Sequence, residues 1–331
     1  MKPYRVIGIE SSPYAVKVRS VFRYRRIPHL WIARMPQFFD ETEHVRPLIM
    51  PVVQYPDGVY RTDSTSIIRD LEGRHMNGRS VIPEDRGQAL LVDLIEDMAD
   101  EWFTKCVFHY RFNAPTDRVA GAAWGMDDAY PDVDANMLGD LVDKFVARQV
   151  ERMPLVGCIP TNAPLIEDSY LRLIEILEGF VATDRFLFGT RPSTADFAIC
   201  GQLSTLAGDP TGGAIQRAIA PRTRHWVMRL TDCSGVEGEW STKVSPLVCA
   251  LLDLAGRIYL PFLVANATAI ENGETEISVA LDGRLYRQPV FGYQVKCLNA
   301  LRKSFDALST GDREGLDPLL DQAGCLTYLV G

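Results

Sequence analysis

The chain has 331 residues, of which 47% are hydrophobic and 24% are charged, and this average composition excludes disordered and fibrous proteins. Thirty-five basic against 43 acidic residues give a net charge of -8, which argues against binding to nucleic acid or to an anionic membrane. The seven cysteines are scattered without a C-x-x-C pair, which predicts reduced thiols in a cytoplasmic protein rather than disulfides or a zinc site.

The first 80 residues predict a small α/β domain. Ser12 and Pro13 form a helix start, with Ser12 as N-cap and Pro13 at the first helical position. Pro56-Asp57-Gly58 is a hairpin turn between two short apolar strands. The predicted elements are a strand over 4–9, a helix over 12–26, strands over 29–34, 52–55 and 59–62, and a helix from Ser64 that ends at Asn77-Gly78. A β-α-β crossover followed by a hairpin and a helix makes one α/β domain over residues 1–80.

Long helical periodicities follow and predict an all-helical domain over 86–235. Ser193 and Asp196 stand in the relation of a capping box, which is a structural role at a helix start. The predicted helices cover 90–108, 138–153 and 165–180, and a further helix begins at Ser193. The stretch 114–134 is rich in Gly, Ala and Asp and is predicted to be a loop.

A third region over 240–331 predicts helices and a hairpin. Asp253 and Arg257 are the only charged residues over 246–270, and Pro261 interrupts this stretch. Two charges near the middle favour a buried, kinked helix pair over a membrane span. The hairpin is predicted over 276–280 and 284–288 around Asp282-Gly283, and a helix then runs to about 308. The apolar stretch in the first ten residues is too short for a signal peptide.

Four local motifs occur in a fixed order along the first 232 residues. They are Ser12-Pro13-Tyr14-Ala15-x-Lys17-Val18-Arg19, Met50-Pro51-Val52-Val53, Asp63-Ser64-Thr65-Ser66-Ile67-Ile68 and Ser193-Thr194-Ala195-Asp196. Asp63 lies twelve positions after Pro51, which is the spacing that one hairpin requires. In this order the motifs resemble the glutathione transferase superfamily, in a serine-type form with a long C-terminal extension like that of some bacterial members. The resemblance implies a thioredoxin-like α/β domain, an all-helical domain and, here, an extra α+β extension.

The resemblance also implies a site for glutathione as co-substrate. A thiol of pKa near 8.5 reacts well only when ionised, and a helix N-terminus favours an anion. By resemblance the Ser12 hydroxyl hydrogen-bonds the thiolate, and Ser11 is the rival because some serine-type classes place the hydroxyl one residue earlier. Met50, before a cis Pro51, pairs with the cysteinyl part, and Asp63 and Ser64 bind the γ-glutamyl end. The plainer alternative is that these side chains only cap helices and that Pro51 only begins a strand.

An apolar stripe on the first long helix predicts a substrate cleft beside the sulfur. Tyr14, Trp102, Cys106 and Tyr110 are its candidate lining residues. Core or dimer packing explains a helical aromatic stripe equally well. The five histidines lack an H-x-x-x-H or H-E-x-x-H spacing, so no metal site is predicted.

One departure from the family pattern concerns the glycyl carboxylate of glutathione. Ile49 stands where the family commonly has Lys or Gln to hold that group. By this reading the contact comes from Arg34, His44 or Arg46, or is absent.

The leading hypothesis is a cytoplasmic, homodimeric glutathione transferase that conjugates the glutathione thiolate to a hydrophobic electrophile, as in detoxification. The same site permits glutathione-dependent ether cleavage or dehalogenation. From another class, the chain is a non-catalytic binding or interaction protein that kept the fold, an alternative favoured by Ile49 and by the extension. Neither nucleic acid nor membrane is an expected partner.

Overall fold

The N-terminal part of the chain forms a four-stranded mixed sheet with helices packed on it. The structure is a computed structural model that describes residues 2–76 and 78–330, so the predicted helix end at Asn77 lies outside the described residues. The elements are β1 (Tyr4–Gly8), α1 (Pro13–Tyr24), β2 (His29–Ala33), α2 (Phe39–Thr42), β3 (Val52–Gln54), β4 (Tyr60–Arg61) and α3 (Ser64–Arg74). The strand order is β2-β1-β3-β4, with β1 parallel to β2 and antiparallel to β3. This is the thioredoxin-like arrangement, and the prediction for this domain is confirmed.

The rest of the chain is mostly helical and contains one further hairpin. The helices up to residue 230 are α4 (Arg86–Glu101), α5 (Phe103–Phe112), α6 (Pro115–Ala129), α7 (Ala135–Arg152), α8 (Ala163–Phe180), α9 (Thr194–Gly208), α10 (Pro210–Ile219) and α11 (Pro221–Leu230). The later elements are α12 (Pro246–Leu254), α13 (Leu260–Glu271), β5 (Glu276–Leu281), β6 (Arg284–Pro289), α14 (Gly292–Asp306), α15 (Thr310–Gln322) and α16 (Leu326–Leu329). α9 begins directly after Ser193, as the capping box predicted.

The chain folds into two compact units, each drawn from three segments. The first unit contains the segment up to Val81, Tyr110–Glu151 and Asp196–Glu237. The second unit contains Ile82–His109, Arg152–Ala195 and the segment from Gly238 onward. The predicted division into stretches 1–80, 86–235 and 240–331 stays a prediction.

The predicted loop over 114–134 is wrong, because most of this stretch is helix α6. Pro115 occupies the first turn of this helix, where its missing N–H costs nothing. The two interior glycines, Gly121 and Gly125, lower the helix propensity, but their lack of a side chain allows neighbouring side chains to pack closely against the helix. A Cβ on Gly121 would lie 2.6 Å from Cγ of Arg111, and a Cβ on Gly125 would lie 2.9 Å from Oγ of Ser11. Tertiary contacts therefore explain residues that look like loop formers in the sequence.

The apolar stretch 246–271 contains two helices, α12 and α13, joined without a loop. A π-helical turn over Ala255–Tyr259 joins α12 to α13 directly before Pro261, so the proline falls where the regular hydrogen-bond ladder is already interrupted. Asp253 and Arg257 form an i,i+4 ion pair of 3.0 Å. By length and composition alone this stretch is able to cross a membrane, and 67% of its most apolar window is buried inside the structure.

The second unit has a core that the C-terminal elements share with earlier helices. α14 packs on α4 and α13, the β5–β6 hairpin packs on α13, and α12 packs on α8. The hairpin turns at Asp282 and Gly283, whose φ values of 46° and 76° are those of a tight type I′ turn. The predicted hairpin is thus confirmed, and it contributes a buried Tyr286 to the core.

Several acidic and basic groups are enclosed in this second unit. Burial raises the pKa of Asp97 to about 7, although the Tyr259 hydroxyl donates a hydrogen bond of 2.6 Å to it. A hydrogen bond with Cys297 lowers the pKa of Asp97, and the nearby carboxylates of Asp100 and Glu96 raise it. Lys105 is 1% exposed and donates to the carbonyl of Val156 and, over 2.7 Å, to Oε1 of Gln288. Burial lowers the pKa of Lys105 to about 8.

We expect the Asp97 carboxyl to make the protein less stable as the pH rises. Its pKa is higher in the folded chain than the ordinary 3.8, so folding favours the protonated form and loses this contribution as the pH rises towards 7. Asp97→Asn should therefore reduce the fall in unfolding free energy between about pH 5 and pH 8 by about 1–2 kcal/mol. Urea unfolding at the two pH values measures this difference.

The matched control is Asp306→Asn, which changes an exposed carboxyl at the end of α14 in the same unit. It should leave the pH dependence as in the wild type. An Asp97→Asn protein with the wild-type slope would show that this buried charge is not its cause.

Candidate active site

The register of the sheet brings the three N-terminal motifs to one edge. Ile7, near the end of β1, is paired with Val52 at the start of β3, and Val53 is paired with Arg61 at the end of β4. The chain leaves β1 towards Ser11 and Ser12, enters β3 from Met50 and Pro51, and leaves β4 towards Asp63 and Ser64. Because these segments adjoin the same ends of three neighbouring strands, the motifs predicted from the sequence share one edge of the sheet.

Ser12 is the N-cap of α1. Its φ and ψ of -97° and 119° are extended, Pro13 follows at the first helical position, and Oγ accepts a hydrogen bond of 3.4 Å from the Ala15 N–H. An N-cap hydroxyl that accepts from the helix still has its own O–H to donate. The side chain therefore combines a hydroxyl donor with the positive end of a twelve-residue helix.

Ser11 lies beside helix α6. It is 5% exposed, and its Oγ faces the Cα of Gly125 in α6, where a Cβ would come within 2.9 Å of it. Its carbonyl oxygen accepts a hydrogen bond of 2.9 Å from Nη1 of Arg111. The structure thus gives the two serines different surroundings, because only Ser12 caps the helix.

Met50 precedes a cis peptide bond to Pro51, as the resemblance implied. Within residues 2–76 and 78–330, the backbone N–H and C=O of Met50 make no hydrogen bond. A free donor and a free acceptor beside the first residue of β3 are what an extended ligand needs to pair as an added strand.

Asp63 and Ser64 open helix α3. Asp63 has a φ of 74° and a ψ of 108°, and its Oδ1 accepts a hydrogen bond of 3.2 Å from the Ser66 N–H. A positive φ is uncommon for a residue other than glycine, and such residues concentrate at ligand sites. Ser64 is 7% exposed. The pair offers a carboxylate, a hydroxyl and the N-terminus of a helix at one point.

The three cationic candidates for a glycyl carboxylate have different surroundings. Arg46 donates from Nη1 to the carbonyls of Glu43 and Val45, and the His44 ring packs edge-on against Tyr60. Arg34 follows β2, and its backbone N–H donates a hydrogen bond of 2.9 Å to the carbonyl of Gly8. The Nε atom of its side chain is buried and has no hydrogen-bond partner among the described residues. Burial lowers the pKa of Arg34. Ile49, at the family's usual position, is 47% exposed.

The predicted cleft residues fall in different surroundings. Trp102 is 1% exposed and packs against Phe262 and Tyr286 in the second unit. Cys106 is buried there, and burial raises the pKa of its thiol. Tyr14 is half-buried in the first turn of α1, and Tyr110 is 8% exposed. The contacts of Trp102 and Cys106 are those of a packed core, and the substrate cleft stays a prediction.

A family model supplies the decisive comparison. The model described as the N-terminal domain of glutathione S-transferase matches residues 6–79, which contain all three motifs of the sheet edge. Residues 6–79 are thus similar to the N-terminal domain of glutathione S-transferases. The resemblance to the glutathione S-transferase superfamily is therefore confirmed. A comparison with curated proteins gives no match.

Three solved structures are similar to parts of this chain at low sequence identity. A β-etherase from Sphingobium sp. strain SYK-6 is 18% identical, with 76% of this chain and 99% of the other covered at a TM-score of 0.48. A glutathione S-transferase from Methylobacterium radiotolerans, in complex with glutathione sulfonate, is also 18% identical, with 74% and 98% covered at a TM-score of 0.45. One from Methylobacillus flagellatus with glutathione bound is 21% identical, with 70% and 96% covered at a TM-score of 0.41.

The sequence motifs do not include three charged residues near the chain around Ser11. Arg111 donates a hydrogen bond to the Ser11 carbonyl, Asp128 accepts one from the Glu10 N–H, and Asp209 forms a buried ion pair of 2.9 Å with Arg111. Arg111 and Asp128 lie 100 or more positions from the loop residues that they contact, and Asp209 lies 98 positions from Arg111. No local pattern in the sequence marks them, since their role depends on the folded arrangement of α5, α6 and α10.

Proposed function

We propose that this glutathione S-transferase domain binds glutathione and that the protein bonds the thiolate sulfur of glutathione to a carbon of a hydrophobic electrophile, by addition or by displacement of a leaving group. The observation that carries the proposal is the convergence of the Ser12 helix cap, the free main chain of Met50 and the Asp63–Ser64 pair at one edge of the sheet. Each group has a partner in glutathione, which offers a thiol, an extended main chain and an amino-acid end.

Ser12 activates the sulfur in this proposal. A free thiol is mostly protonated at neutral pH, so catalysis requires its pKa to fall. The Ser12 hydroxyl donates to the sulfur while its oxygen accepts from the Ala15 N–H, and the partial positive charge of the α1 N-terminus adds to the effect. The rest of the rate increase comes from holding sulfur and electrophile together in a fixed orientation.

The remaining groups orient glutathione. The backbone of Met50 pairs with the cysteinyl residue, the Asp63 carboxylate binds the γ-glutamyl ammonium, and Ser64 with the start of α3 binds the γ-glutamyl carboxylate. Arg34 is the favoured partner of the glycyl carboxylate, because its Nε is buried without a partner whereas Arg46 already donates to two carbonyls.

The proposal extends to a cytoplasmic homodimer that acts on a hydrophobic electrophile, as the family resemblance implies. Ether cleavage and dehalogenation use the same activated sulfur and remain alternatives within it. A non-catalytic glutathione-binding protein would bind the peptide and form no thiolate, so the ultraviolet thiolate band separates that alternative from the enzyme.

The test is glutathione binding by isothermal titration with the wild type and Asp63→Asn. Asn tolerates a positive φ and keeps an oxygen for the Ser66 N–H, so the variant removes the charge and little else. We expect wild-type binding and a Kd about 10-fold to 100-fold higher in the variant, since a hydrogen bond to a charged group contributes about 1.5–3 kcal/mol.

The control variant is Asp57→Asn in the hairpin turn, whose Oδ1 accepts from the Val59 N–H and not from a helix start. It should bind like the wild type. A wild-type protein that gives no binding signal up to millimolar glutathione would overturn the proposed function.

A further inference from the structure

The loop between β1 and α1 is held from outside by charged side chains. In this loop the Ser12 N–H donates a hydrogen bond of 3.2 Å to the carbonyl of Ile9. Nη1 of Arg111, in α5, donates 2.9 Å to the carbonyl of Ser11. Oδ2 of Asp128, in α6, accepts from the Glu10 N–H over 2.7 Å. The peptide that joins Ser11 to Ser12 is therefore fixed at both its oxygen and its N–H.

The orientation of this peptide helps to set where the Ser12 hydroxyl lies. The peptide plane before a residue sets its φ, φ and ψ fix the Cα–Cβ direction, and χ1 then places Oγ. A rotation of the Ser11–Ser12 peptide would move Oγ of Ser12 away from the Ala15 N–H that it accepts from at 3.4 Å. Arg111 thus acts on the activating hydroxyl through one peptide group.

Arg111 is itself held rigidly in the first unit. Its Nε donates to both carboxylate oxygens of Asp209, at 2.9 and 3.0 Å, and its guanidinium lies 5.5 Å from the centre of the Trp124 ring. The side chain of Arg111 is 7% exposed and that of Asp209 is fully buried. Gly121 leaves the space that Cγ of Arg111 fills, because a Cβ there would lie 2.6 Å from it.

Stability is a poor explanation for such a pair. Taking two charges out of water costs about as much as their attraction returns, so a buried ion pair often contributes little net stability. A gain in specific geometry is the better-supported use of a buried pair. Here the ion pair orients Arg111 so that it donates a hydrogen bond to the carbonyl of Ser11, the residue before Ser12.

We propose that Arg111, oriented by Asp209, is a positioning residue that sets the direction of the Ser12 hydroxyl through the Ser11–Ser12 peptide. Asp128 supports this arrangement because it accepts a hydrogen bond from the N–H of Glu10, the residue before Ser11. The inference deepens the proposed function and rests on it for the role of Ser12. The loop geometry itself is measurable without glutathione.

The arrangement predicts a dependence on pH. Burial raises the pKa of Asp209 to about 6, against the opposing effect of Arg111 and with a contribution from the nearby carboxylate of Asp117. Burial also raises the pKa of Asp128, which faces Glu10, Arg19 and Asp127. Protonation below about pH 6 removes the charge that orients Arg111. Since folding favours the protonated form of Asp209, this change loosens the loop without lowering the contribution of Asp209 to global stability.

The experiment compares the wild type with Arg111→Met, Arg111→Lys and Asp209→Asn. Hydrogen–deuterium exchange of the Ser12 amide, measured without glutathione at neutral pH, should be about tenfold faster in Arg111→Met. Arg111→Lys should restore part of the protection, because the lysine ammonium keeps the charge and can donate hydrogen bonds but lacks the planar guanidinium that contacts Asp209 and Ser11 together. Asp209→Asn covers the case in which Arg111→Met does not fold. It should lower the protection factor of the Ser12 amide at neutral pH and abolish the further fall in protection factor that we expect for the wild type below about pH 6.

A second readout separates positioning from a merely structural role. In Arg111→Met the affinity for glutathione should stay within about threefold while kcat falls about tenfold and the pKa of the bound thiol rises. The matched control is Arg118→Met, an arginine of α6 that also donates to backbone carbonyls, those of Phe112 and Asn113. It should change neither exchange at Ser12 nor kcat.

The outcomes of the two proposals are distinguishable. Wild-type exchange at Ser12 in Arg111→Met and Asp209→Asn would overturn the positioning role, whether or not glutathione binds. Faster exchange with unchanged kcat and unchanged thiol pKa would overturn the link to Ser12. Failure of the wild type to bind glutathione would overturn the proposed function, and with it the role of Ser12 on which the inference rests.

Discussion

Ser12→Ala is expected to lower kcat/KM for glutathione conjugation about 100-fold and to raise the pKa of the bound thiol towards its free value. The loss of one positioned hydroxyl that stabilises a developing anion costs about this much in other enzymes. Stopped-flow absorbance of the thiolate band across a pH series gives the thiol pKa, and steady-state rates with an activated aromatic halide give kcat/KM.

The fold should survive this substitution. Loss of the N-cap costs about 1 kcal/mol, which leaves the α1 helix anchored by its buried residues Ala15, Val16 and Val18. The matched control is Ser11→Ala, whose side chain faces Gly125 and does not cap the helix. A protein in which Ser11→Ala loses the thiolate while Ser12→Ala keeps it would transfer the role to Ser11. Retention of the thiolate in both variants would place the activation elsewhere.

Gly201→Ala is expected to destabilise the protein by about 3 kcal/mol. Gly201 lies in α9, where an added Cβ would be 2.3 Å from the carbonyl oxygen and 3.1 Å from the carbonyl carbon of Pro13. A backbone carbonyl in the first turn of α1 has little freedom to retreat, and overpacking of this kind costs about 1–3 kcal/mol or more. Denaturant unfolding measures the loss, and a weakened thiolate band would show that the start of α1 has shifted.

Gly139→Ala is the matched control, because Gly139 is exposed in α7 and nothing lies within 4 Å of its added Cβ. This variant should be more stable than the wild type by about 0.5–1 kcal/mol, from helix propensity alone. Equal unfolding free energies for the wild type and Gly201→Ala would contradict the close contact between α9 and Pro13.

Local signals allowed most of the N-terminal fold and the later hairpin to be predicted. The Ser12-Pro13 cap, the Pro56-Asp57-Gly58 turn and the Asp282-Gly283 turn are short-range features whose chemistry dictates the local backbone. Helix α6 was missed because its glycines lower the propensity and are explained only by Arg111 and Ser11 packing over them. Propensity is a weak prior where tertiary packing decides.

Part of the candidate site was predictable from local motifs, and part of it depends on contacts that form only in the folded chain. The Met50, Asp63 and Ser64 positions follow from motifs whose spacing reflects one hairpin. The contact between Arg111 and Ser11 joins residues 100 positions apart, so it has no local signature. The positive φ of Asp63 is likewise a property of the folded chain, because an isolated Asp-Ser sequence does not require it.

The interleaved segments of the two units bear on how the protein is made. During synthesis on the ribosome, the first unit gains its last segment only when Asp196–Glu237 emerges, and the second unit is completed later still, by the residues from Gly238 onward. The helices α4 and α8 therefore leave the ribosome well before α12 and α14, against which they pack. Until then their apolar faces lack those partners, which is the condition in which nascent chains engage chaperones. The segment from Gly238 onward is therefore needed to complete the core of the second unit.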